Sequence, residues 1–170
     1  MSLYSERTTI SDIYGNSESY GGKNLTVCGW AKTVRSSKTV GFIDLNDGSC
    51  FKSIQIVFES DKLENYKEVA ALNSGAAVIV TGTLLLTPSA KQAFELNAQS
   101  ITIEGVSSPE YPLQPKQHSF EFLRSIAHLR PRANTYNAVF RVRSAAAFAI
   151  HKFFNENGFI YVNTPIITAS

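Results

Sequence analysis

Phe42, Gln55, Glu95 and Arg35 are the side chains of this 170-residue sequence best suited to chemistry, and that chemistry is recognition rather than bond-making. An outward aromatic ring stacks on an unpaired base. A glutamine amide both donates and accepts, so it matches a base edge. A carboxylate accepts from base amino or imino groups; because it repels phosphate, Glu95 makes sense only opposite a base. A guanidinium at Arg35 binds phosphate or stacks, and Lys32 and Lys38 add local positive charge. The blander alternatives stay open: an outward phenylalanine is often surface packing or a domain contact, and a lone glutamine usually faces water.

No group of residues points to catalysis or to a metal, so no catalytic residue is assigned. Cys28 and Cys50 are the only cysteines, too few for a zinc framework, and they are expected to be plain buried or half-buried thiols. His128 and His151 have no carboxylate or cysteine partner at metal-ligand spacing, and His151 is expected to pack or face water.

The elements that must position the four residues read as strands. Residues 24–34, 39–46, 51–58, 77–86 and 93–103 carry β-formers, and Asp47-Gly48 is a two-residue hairpin signal wanting positive φ at both positions. Alternation places Ile43 and Leu45, Ile54, Ile56 and Phe58, and Phe94, Leu96 and Ala98 toward a core. Phe42, Gln55 and Glu95 then point the other way. Residues 61–73 read as a helix stopped by Gly75, with Leu63, Tyr66, Val69 or Ala70 and Leu72 roughly on one side. Three strands, a helix and two strands is the order of an OB-fold β-barrel, though other small barrels share the pattern. Before it, Ser11-Asp12-Ile13-Tyr14 caps one helical turn.

Three segments follow from the change of character along the chain: a barrel over residues 1–105, a connector over 106–118 and a helical segment over 119–170. Pro109, Pro112 and Pro115 predict an extended, stiff connector. Residues 119–127 form a short helix with Ser119 as its N-cap. The longest helix runs from about Tyr136 to Asn157, with Val139, Val142, Ala146, Ile150 and Phe153 as one apolar stripe and Gly158 as its cap. Phe159–Val162 reads as a strand halted at Thr164-Pro165.

Bulk properties narrow the class. Hydrophobic residues at 44% and charged residues at 18% describe a globular chain rather than a disordered one. A net charge of only +2 means that any RNA contact is local. No apolar run approaches the ~18 residues of a membrane span, and the first residues lack a hydrophobic signal core, so a cytoplasmic location is expected.

Val27-Cys28-Gly29-Trp30, then Arg35, then Gly41-Phe42-Ile43-Asp44-Leu45-Asn46-Asp47-Gly48, then Ile54-Gln55-Ile56-Val57 resemble the anticodon-binding domain of class IIb aminoacyl-tRNA synthetases, which serve aspartate, asparagine and lysine. By this resemblance Phe42 stacks on the central anticodon base, a uridine; Gln55 reads its edge; Glu95 and Arg35 also meet the tRNA. The stretch from Ser36 to Val40, between Arg35 and Phe42, departs from the family's usual loop. His118 to Arg132 resembles the asparagine-specific branch of bacteria, and Arg141 to Ile167 resembles class II motif 1, a long helix, a strand and a proline.

The expected architecture is therefore a five-stranded OB-fold barrel with one inserted helix, followed by a partial α+β class II segment. The resemblance implies a full-length homodimer that uses ATP and magnesium to activate asparagine and passes it to tRNA(Asn). Pro165, Phe153 and Ile150 would belong to the dimer interface, and Pro165 also serves as a strand terminator. The family's ATP-binding arginines lie downstream of motif 1, so this chain is expected to bind no cofactor and to be inactive alone. No DNA or membrane partner is implied. The alternatives are an aspartyl or lysyl enzyme, a free-standing OB-fold binder of single-stranded RNA, or a plain interaction module.

Overall fold

The computed structural model describes residues 6–89, 92–165 and 167. The chain divides into two compact units, Met1–His118 and Ser119–Ser170.

The first unit is a closed barrel of five strands: β1 (Asn24–Ser36), β2 (Val40–Asn46), β3 (Ile54–Glu59), β4 (Ala77–Leu86) and β5 (Phe94–Gly105). Their order around the barrel is β1-β2-β3-β5-β4. All pairings are antiparallel except β3 with β5, which run parallel, Ile56 beside Leu96 and Val57 beside Asn97. Closure leaves no long free edge whose N–H and C=O groups must find other partners. Alternation fills the interior: Ile43, Leu45, Ile54, Ile56, Phe58 and Leu96 are essentially sealed from solvent, with Phe94 and Ala98 beside them. Each such side chain contributes roughly 1.5–3 kcal/mol by leaving water.

Phe58 needs a special neighbour. Its ring lies over Gly41, and a Cβ there would fall on the ring. Gly41 is thus a packing requirement of the strand that carries Phe42.

Two connections differ from the sequence reading. Asp47-Gly48 is not a two-residue hairpin: only Gly48 has positive φ, 79°, and the link from β2 to β3 runs over residues 47–53. Asx side chains build it. Asn46 Oδ1 accepts from Gly48 N at 3.0 Å and its Nδ2 donates to the Lys52 carbonyl at 2.8 Å. Asp47 Oδ1 accepts from Ser49 N at 2.9 Å. With those groups satisfied locally, β3 starts at Ile54 rather than at residue 51. Between β3 and β4 the regular helix is α3, which keeps only Tyr66–Ala70 of the predicted span; turns precede it, yet Leu63, Tyr66 and Val69 still face the core. Gly75 does not cap this helix. It lies five residues beyond, at φ 92°, and its N–H donates to the Ala31 carbonyl at 2.7 Å.

The leader is more structured than one turn. Helices α1 (Ile10–Gly15) and α2 (Ser17–Tyr20) precede the barrel; Thr9, not Ser11, caps α1 by accepting from Asp12 N. Ile10 and Ile13 are fully buried in the barrel's core cluster. Asp47 Oδ2 accepts from Ile10 N at 2.8 Å, so the β2–β3 loop also holds the start of this helix.

The connector 106–118 groups with the barrel and is not extended throughout. Asn73 Nδ2 donates to the Ser107 carbonyl at 3.1 Å, and Gln114 Nε2 donates to the Pro109 and Tyr111 carbonyls at 3.3 and 2.6 Å, folding the prolines into turns.

In the second unit, α4 (Phe120–Ser125) starts at Ser119, whose hydroxyl accepts from Phe122 N. After a 3₁₀ turn at Arg130–Arg132, α5 spans Asn134–Glu156. Gly158 follows at φ 82°, the left-handed position that favours glycine after a helix. The predicted strand over 159–162 does not form. A strand needs a neighbour to bond its ladder, and none of the described residues supplies one; Ile160 is 87% exposed.

Gly41→Val should place a side chain inside the Phe58 ring's space and cost about 1–3 kcal/mol or more. Urea unfolding followed by circular dichroism checks this; an unchanged midpoint would show that Phe58 has room to move.

Candidate nucleic-acid interface

The four sequence-predicted residues lie on the barrel's outer surface, on four strands that are neighbours. Register decides this. Phe42 on β2 sits opposite Arg35 on β1 and Val57 on β3. Two residues along the same face, Asp44 sits opposite Gln55. The parallel pair Ile56–Leu96 makes Gln55 and Glu95, one residue earlier in each strand, neighbours across β3 and β5. Glu95 in turn lies opposite Leu85 on β4. Arg35, Phe42, Gln55 and Glu95 therefore run diagonally over three strand spacings, roughly 14 Å.

Burial matches the alternation. Phe42, Gln55 and Glu95 are half-buried, flanked by fully buried Gly41, Ile43, Ile54, Ile56, Phe94 and Leu96; Arg35 is exposed. The ring of Phe42 therefore stands outside the core with one side open to a partner. The short β1–β2 turn keeps Arg35 in line despite its unusual sequence. Ser37 N and Oγ donate to the Val40 carbonyl at 2.8 and 3.0 Å, closing the hairpin just beyond the Arg35–Phe42 pair.

A chain of polar contacts links the centre of the face. Gln55 Nε2 donates to Glu95 Oε2 at 3.3 Å, and Gln92 Nε2 donates to Gln55 Oε1 at 3.5 Å. Asn97 and Thr83 continue the row that holds Phe42 and Val57, and Gln99 Nε2 donates to Thr83 Oγ1 at 3.2 Å. Asp44 and Asn97 follow the same outward alternation as Phe42 and Glu95, two residues along β2 and β5. Gln92 was missed altogether, because it precedes β5, where no alternation extends to mark it.

One end of the face is buttressed by Tyr14 of α1. Its ring meets Phe94 edge-on at 4.7 Å, its hydroxyl donates to the Ser53 carbonyl at 2.9 Å, and Lys52 Nζ lies 4.6 Å from the ring centroid. Burial, with the negative charges of Cys50 and Asp44 adding to it, pushes the Tyr14 phenol above its ordinary value.

The second unit presents a different surface. Ile150 and Phe153, three residues apart on α5, are 59% and 61% exposed, and Val139, Val142 and Phe148 are exposed as well. Pro165 is exposed and outside regular structure. The ring of His151 meets Tyr161 edge-on at 4.9 Å. Among the described residues no three His, Cys, Asp or Glu side chains gather as a metal site, and no helix is long and apolar enough to cross a membrane.

Comparison with known proteins gives the class. Residues 25–104 match the OB-fold nucleic-acid-binding domain, and residues 120–170 match the class II tRNA synthetases for aspartate, lysine and asparagine. The chain is 61% identical over 163 residues to the asparagine–tRNA ligase of Acetivibrio thermocellus and 60% identical over 161 residues to that of Alkaliphilus oremlandii, covering 96% and 95% of its own length. The chain belongs to the asparagine–tRNA ligase family and spans about 35% of the length of these relatives. Its fold is that of the crystal structure of asparaginyl-tRNA synthetase from Pyrococcus horikoshii, with a TM-score of 0.83 and 22% identity, covering 96% of this chain and 38% of that one.

Because the phenol of Tyr14 titrates higher folded than unfolded, its contribution to stability is complete below about pH 10 and is lost as pH rises through the folded value. Tyr14→Phe should cost about 1 kcal/mol near neutrality through the lost bond to Ser53 and should flatten the alkaline decline. Unfolding free energies measured from pH 7 to 11 check both; an equally steep decline in the variant would assign it to other groups.

Proposed function

We propose that this chain is the tRNA-recognising part of an enzyme that joins asparagine to tRNA(Asn), and that its barrel holds the anticodon. The observation that carries the reading is the line of Arg35, Phe42, Gln55 and Glu95 on one outer face, in a chain 61% identical to an asparagine–tRNA ligase along 96% of its length. Phe42 stacks on the central anticodon base, a uridine. Gln55 reads that base's edge with its amide, Glu95 accepts from a base, and Arg35 takes a phosphate or stacks at the border. Recognition here rests on shape and hydrogen bonding, since a net charge of +2 gives the chain little general attraction for a polyanion.

The whole enzyme works in the cytoplasm. It uses ATP with magnesium to form asparaginyl-adenylate, then passes the asparaginyl group to the tRNA's terminal ribose. A solved structural relative, the Pyrococcus horikoshii synthetase, is described in complex with asparaginyl-adenylate. The present chain supplies tRNA binding and part of a homodimer surface, and does no charging by itself. The exposed Ile150 and Phe153 on α5, with Pro165 beyond it, are the side chains that a second subunit would cover.

Phe42→Ala should weaken binding of a tRNA(Asn) anticodon stem-loop by about 1–3 kcal/mol while leaving the barrel folded. Fluorescence anisotropy with labelled RNA measures it. Equal affinity for the two proteins would leave the ring a mere surface residue and refute the stacking role.

A further inference from the structure

Residues 47–53, between β2 and β3, are held by more bonds than a surface loop needs. Asn46 Nδ2 donates to the Cys50 and Lys52 carbonyls at 3.4 and 2.8 Å. Asp47 Oδ1 accepts from Ser49 N and Oγ at 2.9 and 2.6 Å, and its Oδ2 accepts from Ile10 N at 2.8 Å. Ser11 N donates to Ser49 Oγ at 2.9 Å, a second tie to α1. Cys50 packs against the core cluster, and its Sγ donates to the Lys52 carbonyl at 3.4 Å.

This framework presents a ring and a cation to solvent. Phe51 is 47% exposed, although full burial of such a side chain contributes roughly 1.5–3 kcal/mol. Lys52 is exposed as well, and its Nζ lies 4.6 Å from the centroid of the Tyr14 ring. The ring holds the ammonium in place without neutralising it. Among the described residues Lys52 forms no ion pair. Both carboxylate oxygens of the nearby Asp47 are engaged by the loop and by α1, and Asp44 sits opposite Gln55.

A fixed aromatic ring beside a fixed cation suits one unpaired nucleotide: the base stacks on the ring and its phosphate meets the cation. Rigidity lowers the entropy that such binding costs. The position fits a strand that already lies on the barrel. Lys52 precedes Gln55 by three residues, so at most roughly 11 Å separates their Cα atoms. OB-folds take about 4–16 nucleotides of single strand, more than an anticodon triplet. An anticodon loop has further unpaired nucleotides on either side of that triplet.

We propose that Phe51 and Lys52 form a second nucleotide subsite, which takes an unpaired nucleotide flanking the anticodon triplet. The proposal rests on the reading of the barrel as the holder of the anticodon. It adds a contact away from the strands, on the loop that α1 supports.

The test uses the full 170-residue chain and two single-stranded probes: the anticodon trinucleotide of tRNA(Asn), and the complete anticodon-loop sequence. Nuclear magnetic resonance titration gives both affinities. The parent chain should bind the loop sequence about tenfold more tightly than the trinucleotide. Phe51→Ala should lower affinity for the loop sequence by about fivefold or more and leave the trinucleotide unaffected. Lys52→Gln should do the same by about threefold at low salt. It should also reduce the slope of log affinity against log salt by about 0.7, the share of one phosphate on a single strand. Phe42→Ala should weaken both probes alike. If only Phe42→Ala has an effect, Phe51 and Lys52 belong to a protein contact; the subsite is then overturned and the anticodon reading stands. Equal losses on both probes in Phe51→Ala would mark a folding role and overturn the subsite too. If Phe42→Ala changes neither probe, both readings fall.

Discussion

The parallel pairing of β3 with β5 is the contact on which the molecule's recognition surface depends. Ile56 beside Leu96 closes the barrel, and the same register makes Gln55 and Glu95 neighbours. Side chains alternate along both strands, so the interior and exterior assignments cannot be chosen separately. Sealing Ile54, Ile56, Phe94 and Leu96 inside obliges Gln55 and Glu95 to stand outside. A slip of one residue in β5 alone would turn Glu95 inward, where an unpaired carboxylate is costly, and Leu96 outward. Core packing thereby enforces the geometry of the face without touching any ligand.

The face is supported from both ends of β2. At one end, Gly41 makes room for Phe58 and keeps β2 close to β3 where Phe42 emerges. At the other, Asn46 and Asp47 fold the β2–β3 loop with their own side chains and hold the start of α1. α1 then returns Tyr14 against Phe94, next to Glu95. Leader, loop and barrel thus form one connected framework behind the proposed anticodon contacts. The long helix α5 has no such framework among the described residues. Its apolar residues are exposed, in keeping with a proposed role at a surface completed by another subunit.

What could be read from residues alone was whatever period and burial dictate together. The inward sets of β2, β3 and β5 and the outward Phe42, Gln55 and Glu95 follow from alternation, because a half-buried strand leaves no other choice. What escaped depends on side chains competing with the backbone or on partners distant in sequence. Asp47-Gly48 suggests a tight turn, but Asn46 and Asp47 spend their side chains on a longer loop. Ile10 and Ile13 look like an ordinary turn until the barrel offers them an apolar end. Phe159–Val162 has strand composition, yet strand composition forms no ladder without a second strand. Gln92 has no periodic signal at all, and only the path of the chain into β5 brings it to Gln55.

Contacts between Phe42 and a bound base test the account most directly. In a complex of the chain with a tRNA(Asn) anticodon stem-loop, nuclear Overhauser effects should connect the Phe42 ring protons to H5 and H6 of the central uridine, with the Gln55 side-chain amide shifted by binding. Effects from that uridine to residues on another part of the barrel, with Phe42 and Gln55 unperturbed, would contradict the assignment of this face.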